Sequence, residues 1–306
     1  MKYVITGATS FIGIKMINFL LSMDNKIVAV YRQTSLKKQS IPQEVLKIPL
    51  DISQYNKLDK YITNADIFIH LAWNGTGHEG RDNTTIQEKN IEYSLEAIKS
   101  AHKMGCKLFV FAGSQAEYGH VDGILSEETP CNPQSQYGIA KLKFGEKASK
   151  LCKELGIKFI HLRICSIFGE GDHPWTLVMS TIKKMLNNEN IELSTCEQFW
   201  NFLDVGDAVK QIYYLCQYAL NNVGFKSEIF IICSNDTRKL RSFVEEMRIL
   251  TNSSSQLLYG KYQTNKIVSL NPSSAKTIQA TDGFIDSKTF GQVIEKIIEN
   301  YKNNTI

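Results

Sequence analysis

Apolar runs of strand length alternate with amphipathic stretches of helix length along the first three quarters of the chain. KYVIT at 2–6 predicts a strand, FIGIKMINFLLSM at 11–23 repeats its apolar residues at helical spacing, and KIVAVYR at 26–32 predicts a second strand. Further strands are predicted at ADIFIHLA (65–72), KLFVFAGS (107–114), KFIHLRICSIFG (158–169) and SEIFIICS (227–234), with helices at 86–104 and 137–154. This alternation predicts an α/β fold with a doubly wound parallel sheet.

The rhythm of strands and helices breaks after position 169. The stretch GEGDHPW indicates a loop, and the chain from about 239 onward is mostly helical and polar, with a Ser/Asn-rich interruption at 252–255. A chain of 306 residues is long enough for one large α/β unit and a smaller lobe. We therefore predict a sheet domain of residues 1–168 plus about 200–236, and a smaller C-terminal lobe of residues 169–199 and 237–306.

Composition and charge narrow the range of partners. The chain has 35 Lys and Arg against 31 Asp and Glu, a net charge of +4 that is too small and too scattered for a nucleic-acid surface but permits a small anionic ligand. The seven cysteines form no CxxC pair, which is typical of reduced core thiols, and no metal site is expected. The chain shows no run of membrane-spanning length and no signal peptide. We expect a cytoplasmic protein without nucleic-acid or membrane partners.

A turn containing two glycines follows the first predicted strand. Gly7, Ser10 and Gly13 occupy the three positions of a G-x-x-G-x-x-G turn. Gly7 permits the tight bend, Gly13 lets the helix pack close to the sheet, and the N–H groups at 9–13 are expected to face an anion. Ser10 replaces the glycine that normally lets the backbone approach a pyrophosphate, and its hydroxyl is able to donate a hydrogen bond instead. Because this turn opens a βαβ pattern, we predict a dinucleotide site.

The end of the second predicted strand bears on which dinucleotide binds. An NAD-specific site usually has an acidic residue there to accept the ribose hydroxyls. Here the strand ends in Tyr31-Arg32-Gln33, and hydroxyls and lysines follow at 34–38. Because guanidinium binds phosphate oxygens in a fork, this pattern favours NADPH, with its 2′-phosphate, over NAD. A solvated basic loop is the competing interpretation.

Tyr137 and Lys141 lie four positions apart in PQSQYGIAK. On a helix both side chains share one face, and an ammonium beside a phenol lowers a pKa that starts at about 10. Tyr137 is therefore expected to donate or accept a proton at neutral pH. In FAGSQAEYG, Ser114 follows a predicted strand, at the edge of the sheet where a carbonyl substrate would be held.

The order and spacing of these motifs resemble the extended short-chain dehydrogenases/reductases, the NAD-dependent epimerase/dehydratase family. The resemblance covers nearly all of the chain and rests on TGATSFIG (6–13), Asp51-Ile52, HLA (70–72), Asn90, S-x-x-x-Y-G (114–119), P-x-S-x-Y-G-x-x-K (133–141), LR-x-x-S-x-x-G (162–169) and FLDVGDAV (202–209). It implies a Rossmann fold, an NADP-binding role for the sheet domain, a substrate-binding role for the smaller lobe, and a homodimer.

The resemblance also implies site residues by position. The catalytic residues are Ser114, Tyr137 and Lys141. With the turn and Arg32 included, the expected cofactor-binding residues are Gly7, Thr9, Ser10, Phe11, Ile12, Gly13, Arg32, Asp51, Ile52, Leu71, Ala72, Tyr137 and Lys141. The expected substrate contacts are Trp73, Arg81, Ser114, Ser166 and Trp200, with His78 as a further polar candidate.

Differences from other members of the family bear on the reaction. Dehydratases carry Asp-Glu directly after the catalytic hydroxyl, whereas this chain has Ser114-Gln115-Ala116-Glu117, so dehydration is not expected. Epimerases hold NAD tightly and are expected to have an acidic residue near position 31 or 32. This chain has Tyr31-Arg32 there, which argues against an epimerase. The segments AWNGTG (72–77), FAGSQAEYG and CEQFWNFL (196–203) resemble the 4-ketoreductases of nucleotide-activated 4-keto-6-deoxyhexoses, the group of CDP-abequose synthase and dTDP-fucose synthase.

We therefore expect NADPH-dependent reduction of the C4 keto group of such a nucleotide sugar, in deoxysugar and surface-polysaccharide biosynthesis. In many relatives an arginine that grips the diphosphate stands where this chain has Trp200, so the diphosphate contact must differ. Two alternatives stay open: an NAD-dependent nucleotide-sugar 4-epimerase, and a non-catalytic NADP-binding regulator. Non-catalytic regulators with this fold commonly lose the catalytic tyrosine or lysine, whereas this chain keeps both Tyr137 and Lys141.

Overall fold

The computed structural model describes residues 1–262 and 269–303, except for the side chain of His78. Its central sheet has seven parallel strands: β1 Lys2–Thr6, β2 Lys26–Tyr31, β3 Leu46–Pro49, β4 Ile67–His70, β5 Leu108–Ala112, β6 Lys158–Ile164 and β10 Ser227–Ile232. They are ordered β10-β6-β5-β4-β1-β2-β3. The predicted doubly wound Rossmann fold is confirmed, and its strand order reverses between β1 and β4, where such sheets open a crevice at their carboxyl ends.

Helices cover both faces of the sheet, and further helices follow in the C-terminal part of the chain. Their bounds are α1 Phe11–Ser22, α2 His78–Arg81, α3 Thr84–Lys103, α4 Gln136–Glu154, α5 Leu177–Leu186, α6 Val205–Asn221, α7 Leu240–Thr251, α8 Ala275–Ala280 and α9 Phe290–Lys302. Among the described residues, none of these helices is long and apolar enough to cross a membrane.

The two faces of the sheet build two separate cores because successive strand residues point to opposite sides. Tyr3 and Ile5 of β1 pack with α1 and α6 in one core, whereas Val4 packs with α3 and α4 in the other. Strands buried on both faces need apolar residues at nearly every position, which explains the uninterrupted apolar runs in the sequence.

Two small sheets lie outside the central one. Their strands are β7 Ser166–Phe168, β8 Ile191–Leu193, β9 Phe199–Asp204, β11 Thr237–Lys239 and β12 Leu257–Tyr259. They are ordered β11-β9-β7 and β12-β8. A third core joins β8 and β9 to α5, α7 and α9. The division of the chain into a cofactor domain and a substrate lobe at the predicted boundaries stays a prediction.

The prediction of one strand over 158–169 is wrong, because the run divides at Cys165. The amide of Cys165 donates to the carbonyl of Ile232, the last residue of β10. Beyond that point β6 has no partner in the central sheet, so the chain turns and pairs as β7 with β9. The break carries Ser166 out of the central sheet and into the three-stranded one.

Candidate active site

The turn after β1 packs against the residues that follow β4. Gly7 has a φ of +67°, and a Cβ at this position would lie 2.8 Å from the amide nitrogen of Ala72. That amide donates to Thr6 Oγ1 at 3.4 Å. Only glycine combines this backbone conformation with so close an approach. The turn and Leu71-Ala72 therefore lie side by side at the strand-order reversal.

Ser10 is the N-cap of α1. Its side chain accepts a hydrogen bond from the amide of Gly13 at 3.1 Å, and its own amide donates to the carbonyl of Gly7 at 2.9 Å. The amides of Ser10 and Gly13 are therefore used within the turn and are not among the free N–H groups at 9–13 that are expected to face an anion. The amides of Phe11 and Ile12 lie in the first helical turn, which lacks helical acceptors and suits an anion.

The ends of β2 and β3 carry the other predicted cofactor residues. Arg32 is exposed directly after β2, and the Ser35 hydroxyl donates to Thr9 Oγ1 at 2.9 Å, which ties the basic segment to the turn. After β3, Asp51 Oδ1 accepts from the amide of Ser53 at 3.0 Å and caps a short 3₁₀ helix, while Ile52 is buried in the core. These residues lie along the same edge of the sheet as the turn.

The structure brings Ser114, Tyr137 and Lys141 together at the carboxyl end of β5. The Ser114 side chain lies close enough to the Tyr137 phenol to act on its pKa. Lys141 Nζ donates to the carbonyl of Ala112 at 2.6 Å and lies 5.5 Å from the centre of the Tyr137 ring. Tyr137 and Lys141 are both on α4, one turn apart, as their spacing predicts.

Burial dominates the titration of this pair. It raises the pKa of Tyr137, although the nearby Ser114 side chain and the positive charge of Arg81 act in the opposite direction. It lowers the pKa of Lys141 to about 7, and Glu117 partly opposes this shift. The expectation of a lowered phenol pKa is therefore wrong for this structure, because removing the phenol from water outweighs the nearby cations.

The loop after β4 covers the Tyr137-Lys141 pair. Arg81 Cζ lies 4.4 Å from the centre of the Tyr137 ring, and Lys141 Nζ lies 4.0 Å from the centre of the Trp73 ring. Both predicted substrate contacts on this loop thus lie at the predicted catalytic pair. The side chain of His78 is outside the described residues.

The other two predicted substrate contacts lie on the three-stranded sheet. Ser166 begins β7 and pairs with Phe202 of β9. Trp200, also on β9, packs against Phe202 with ring centres 6.2 Å apart, and its Nε1 is buried without a partner among the described residues.

A buried ionic cluster beneath Ser114 was not predicted. Glu117 Oε1 accepts from the amide of Ser114 at 2.7 Å, and the same carboxylate accepts from His161 Nε2 at 3.0 Å and Arg163 Nε at 3.2 Å. Burial alone would raise the pKa of Glu117, but these two partners hold it below its usual range. The available signals were a capping box, S-x-x-E, and two polar residues at alternate positions of β6.

Comparison with known proteins matches this chain to a family and to characterised sequences. The model of the NAD dependent epimerase/dehydratase family matches residues 3–233. The chain is 29% identical over 253 residues to a dTDP-6-deoxy-L-talose 4-dehydrogenase (NAD(+)) from Aggregatibacter actinomycetemcomitans, with 80% of this chain and 89% of that protein covered. It is 24% identical over 267 residues to CDP-abequose synthase from Salmonella muenchen, with 85% and 84% covered.

A solved structure shares the fold over the whole chain. The UDP-glucose 4-epimerase of Thermotoga maritima, solved with UDP-glucose, superposes with a TM-score of 0.88 at 18% identity, and 100% of each chain is covered. This likeness concerns the fold alone.

Proposed function

The chain belongs to the NAD dependent epimerase/dehydratase family, and from that premise we propose that it reduces the C4 keto group of a nucleotide-activated 4-keto-6-deoxyhexose with NADPH. One observation carries the proposal. Ser114, Tyr137 and Lys141 lie together at the carboxyl end of β5, with Lys141 Nζ 5.5 Å from the centre of the Tyr137 ring. The segment after Ser114 offers no available carboxylate, since Gln115 and Ala116 are uncharged.

The carboxylate of Glu117 is engaged elsewhere. It is fully buried, and it is bound to His161, Arg163 and the amide of Ser114. A dehydration needs a separate acid and base next to the substrate hydroxyl, whereas the reduction of a carbonyl needs one proton donor at the oxygen. This arrangement supports reduction over dehydration.

The residues of the chain supply the proton and the orientation. NADPH supplies a hydride to the carbonyl carbon when it is bound. The Ser114 hydroxyl holds the carbonyl oxygen, and Tyr137 donates its phenolic proton to that oxygen. The charges of Lys141 and Arg81 stabilise the phenolate that remains, since both lie within 6 Å of the ring. Lys141 would also hold the nicotinamide ribose.

The edge of the sheet at the β1 turn fits a dinucleotide. Gly7 lets the turn pack directly against Leu71-Ala72, and the first turn of α1 offers amides to the pyrophosphate. Arg32, with the Ser35 and Thr9 hydroxyls beside it, supports NADPH over NAD because these groups suit a 2′-phosphate.

The substrate site is proposed between the loop after β4 and the three-stranded sheet. Arg81 is close to the Tyr137 ring, and Trp200 stands where many relatives have an arginine. Ser114 and Ser166 complete the proposed set. A homodimer and a cytoplasmic location stay predictions.

A direct test incubates the purified protein with NADPH and a panel of 4-keto-6-deoxyhexoses carrying CDP, dTDP, UDP or GDP. NADPH oxidation is followed, and products are identified by NMR. We expect one nucleotide sugar to give a C4 alcohol with one NADP⁺ formed per product. Nicotinamide that survives purification, with no net NADPH consumption and an inverted C4 product, would establish an epimerase instead.

A further inference from the structure

Lys141 is surrounded by aromatic rings. Its side chain is buried, and Nζ lies 4.0 Å from the ring centre of Trp73 and 4.7 Å from that of Phe111. Nζ also donates to the carbonyl of Ala112. The negative face of an indole attracts a cation more strongly than that of other side-chain rings, and the attraction grows when water is excluded.

We propose that Trp73 is a positioning residue for Lys141, whose charged ammonium its indole face holds beside Tyr137. The importance of this contact for turnover rests on the proposed function, but the contact itself does not. The family resemblance implies that Trp73 contacts the substrate, whereas we assign it to the positioning of Lys141.

The Trp73 ring is held by a hydrogen bond at its Nε1. Trp73 Nε1 donates to Gln87 Oε1 at 2.8 Å, and the amide nitrogen of Gln87 donates to the carbonyls of Gly75 and Gly80, each at 2.9 Å. Gln87 is itself buried on α3. The loop folds back tightly on itself. A Cβ at Gly80 would lie only 2.3 Å from the Cα of Gly75. The ring is therefore held in place by a hydrogen bond to the side-chain amide of the buried Gln87.

The charges facing Lys141 come from several elements. Glu117 beneath Ser114 favours the ammonium, and Arg81 on α2 opposes it. His70 at the end of β4 is neutral, because burial lowers its pKa to about 3. Tyr137, on the same helix, is also neutral, because burial raises its pKa. The rings of Trp73 and Phe111 do not titrate, so they favour the charged form of Lys141 at any pH.

The consequence is a measurable change in the titration of Lys141. Burial already lowers the pKa of Lys141 to about 7. Removing the indole face leaves the ammonium less stable, so the pKa of Lys141 should fall further in Trp73→Leu, by about one unit. Trp73→Phe keeps a weaker aromatic face, so in this variant the pKa of Lys141 should fall less. Phe144→Leu removes a ring of the same aromatic cluster that packs 6.0 Å from Trp73, so it is the matched packing control and should leave the pKa of Lys141 unchanged.

The experiment measures the pKa of Lys141 by NMR in protein labelled at the lysine side chains, with the signal assigned by its loss in Lys141→Arg. Fluorinated tryptophan incorporated at position 73 serves as a variant that keeps the shape of the ring, and the pKa should fall with each added fluorine. A pKa that stays unchanged in both folded Trp73→Leu and the fluorinated series would overturn the proposal.

The NMR measurement needs neither cofactor nor substrate, so it separates this proposal from the proposed function. If the pKa of Lys141 falls as expected while no keto sugar is reduced, the contact stands and the function fails. With an accepted substrate, loss of activity above neutral pH should begin about one unit lower in Trp73→Leu, with KM for the sugar little changed below that pH. An increase in that KM without a shift of the pH profile would make Trp73 a substrate contact and overturn the assignment.

Discussion

At the scale of single residues, the site depends on polar side chains that have been removed from water. Lys141 is nearly inaccessible and Tyr137 is 9% exposed, so burial opposes charge on both. In the free protein the neutral phenol is therefore strongly favoured. A neutral phenol is the form needed to give a proton to a carbonyl oxygen.

Tyr137→Phe removes that proton while keeping the packing of the ring. We expect turnover to fall by about 10²-fold or more, the scale of losing a general acid, while NADPH affinity stays near that of the parent protein. Steady-state kinetics and cofactor titration measure the two quantities. Near-parental kcat would contradict the role given to Tyr137.

The burial of His70 leads us to expect that folding stability falls at acid pH. It is fully buried between the hydroxyls of Thr6 and Ser94, at 2.8 Å from each, and burial lowers its pKa to about 3. Since the folded pKa lies below the unfolded value of about 6.5, the unfolded chain takes up the proton first. The stability that depends on neutral His70 is present above that unfolded value and is lost as pH falls toward the folded value.

We expect the free energy of unfolding to fall by about 2 kcal/mol from this side chain alone between about pH 6.5 and pH 4.5. His70→Gln should be less stable at neutral pH but should lack this part of the acid dependence. Urea unfolding at a series of pH values measures both proteins. Parallel curves for the two would show that His70 is not the group responsible.

At the scale of elements, the β1 turn shows how a missing glycine is accommodated. The sequence predicted an anion-facing turn, but the N-cap role of Ser10 depends on hydrogen-bond geometry that the motif alone does not contain. The Gln87–Trp73 contact was also beyond prediction, because its partners are 14 positions apart on a loop and a helix. The catalytic helix was predictable because Tyr137 and Lys141 are local neighbours on it.

The N-cap role makes a graded prediction at Ser10. Ser10→Ala should lower the free energy of unfolding by about 1 kcal/mol, whereas Ser10→Gly should lower it by only a few tenths, because glycine is an acceptable N-cap. Ser10→Gly should also keep NADPH affinity, since it restores the usual residue of the turn. Urea denaturation gives the first comparison, and equal losses in the two variants would rule out the capping role.

The segment after β2 makes a prediction about cofactor choice. Arg32→Ala should weaken NADPH binding by about tenfold or more and leave NADH binding nearly unchanged, because only NADPH carries the extra phosphate. Lys38→Ala, which removes an exposed cation of the same segment, is the matched control and should affect both little. Equal effects of Arg32→Ala on the two cofactors would make Arg32 a surface charge.

At the scale of the whole molecule, the sheet brings distant segments to one edge. Since strands buried on both faces have few polar positions, the apolar runs predicted the other six strands of this sheet but not the short edge strand β3. The three-residue strands β8, β11 and β12 are too short to show a period and were not predicted. The exit of β7 from the central sheet was also not predictable locally, because it depends on where β10 ends.

The most direct test of the proposed reaction follows the hydride. The protein is given NADPH carrying deuterium at the transferable nicotinamide position, together with the 4-keto sugar nucleotide that it accepts, and the product is analysed by NMR and mass spectrometry. The proposed reduction predicts one deuterium at C4 of the sugar and one NADP⁺ for each alcohol formed. A product inverted at C4 without deuterium, formed while NADPH is not consumed, would contradict it.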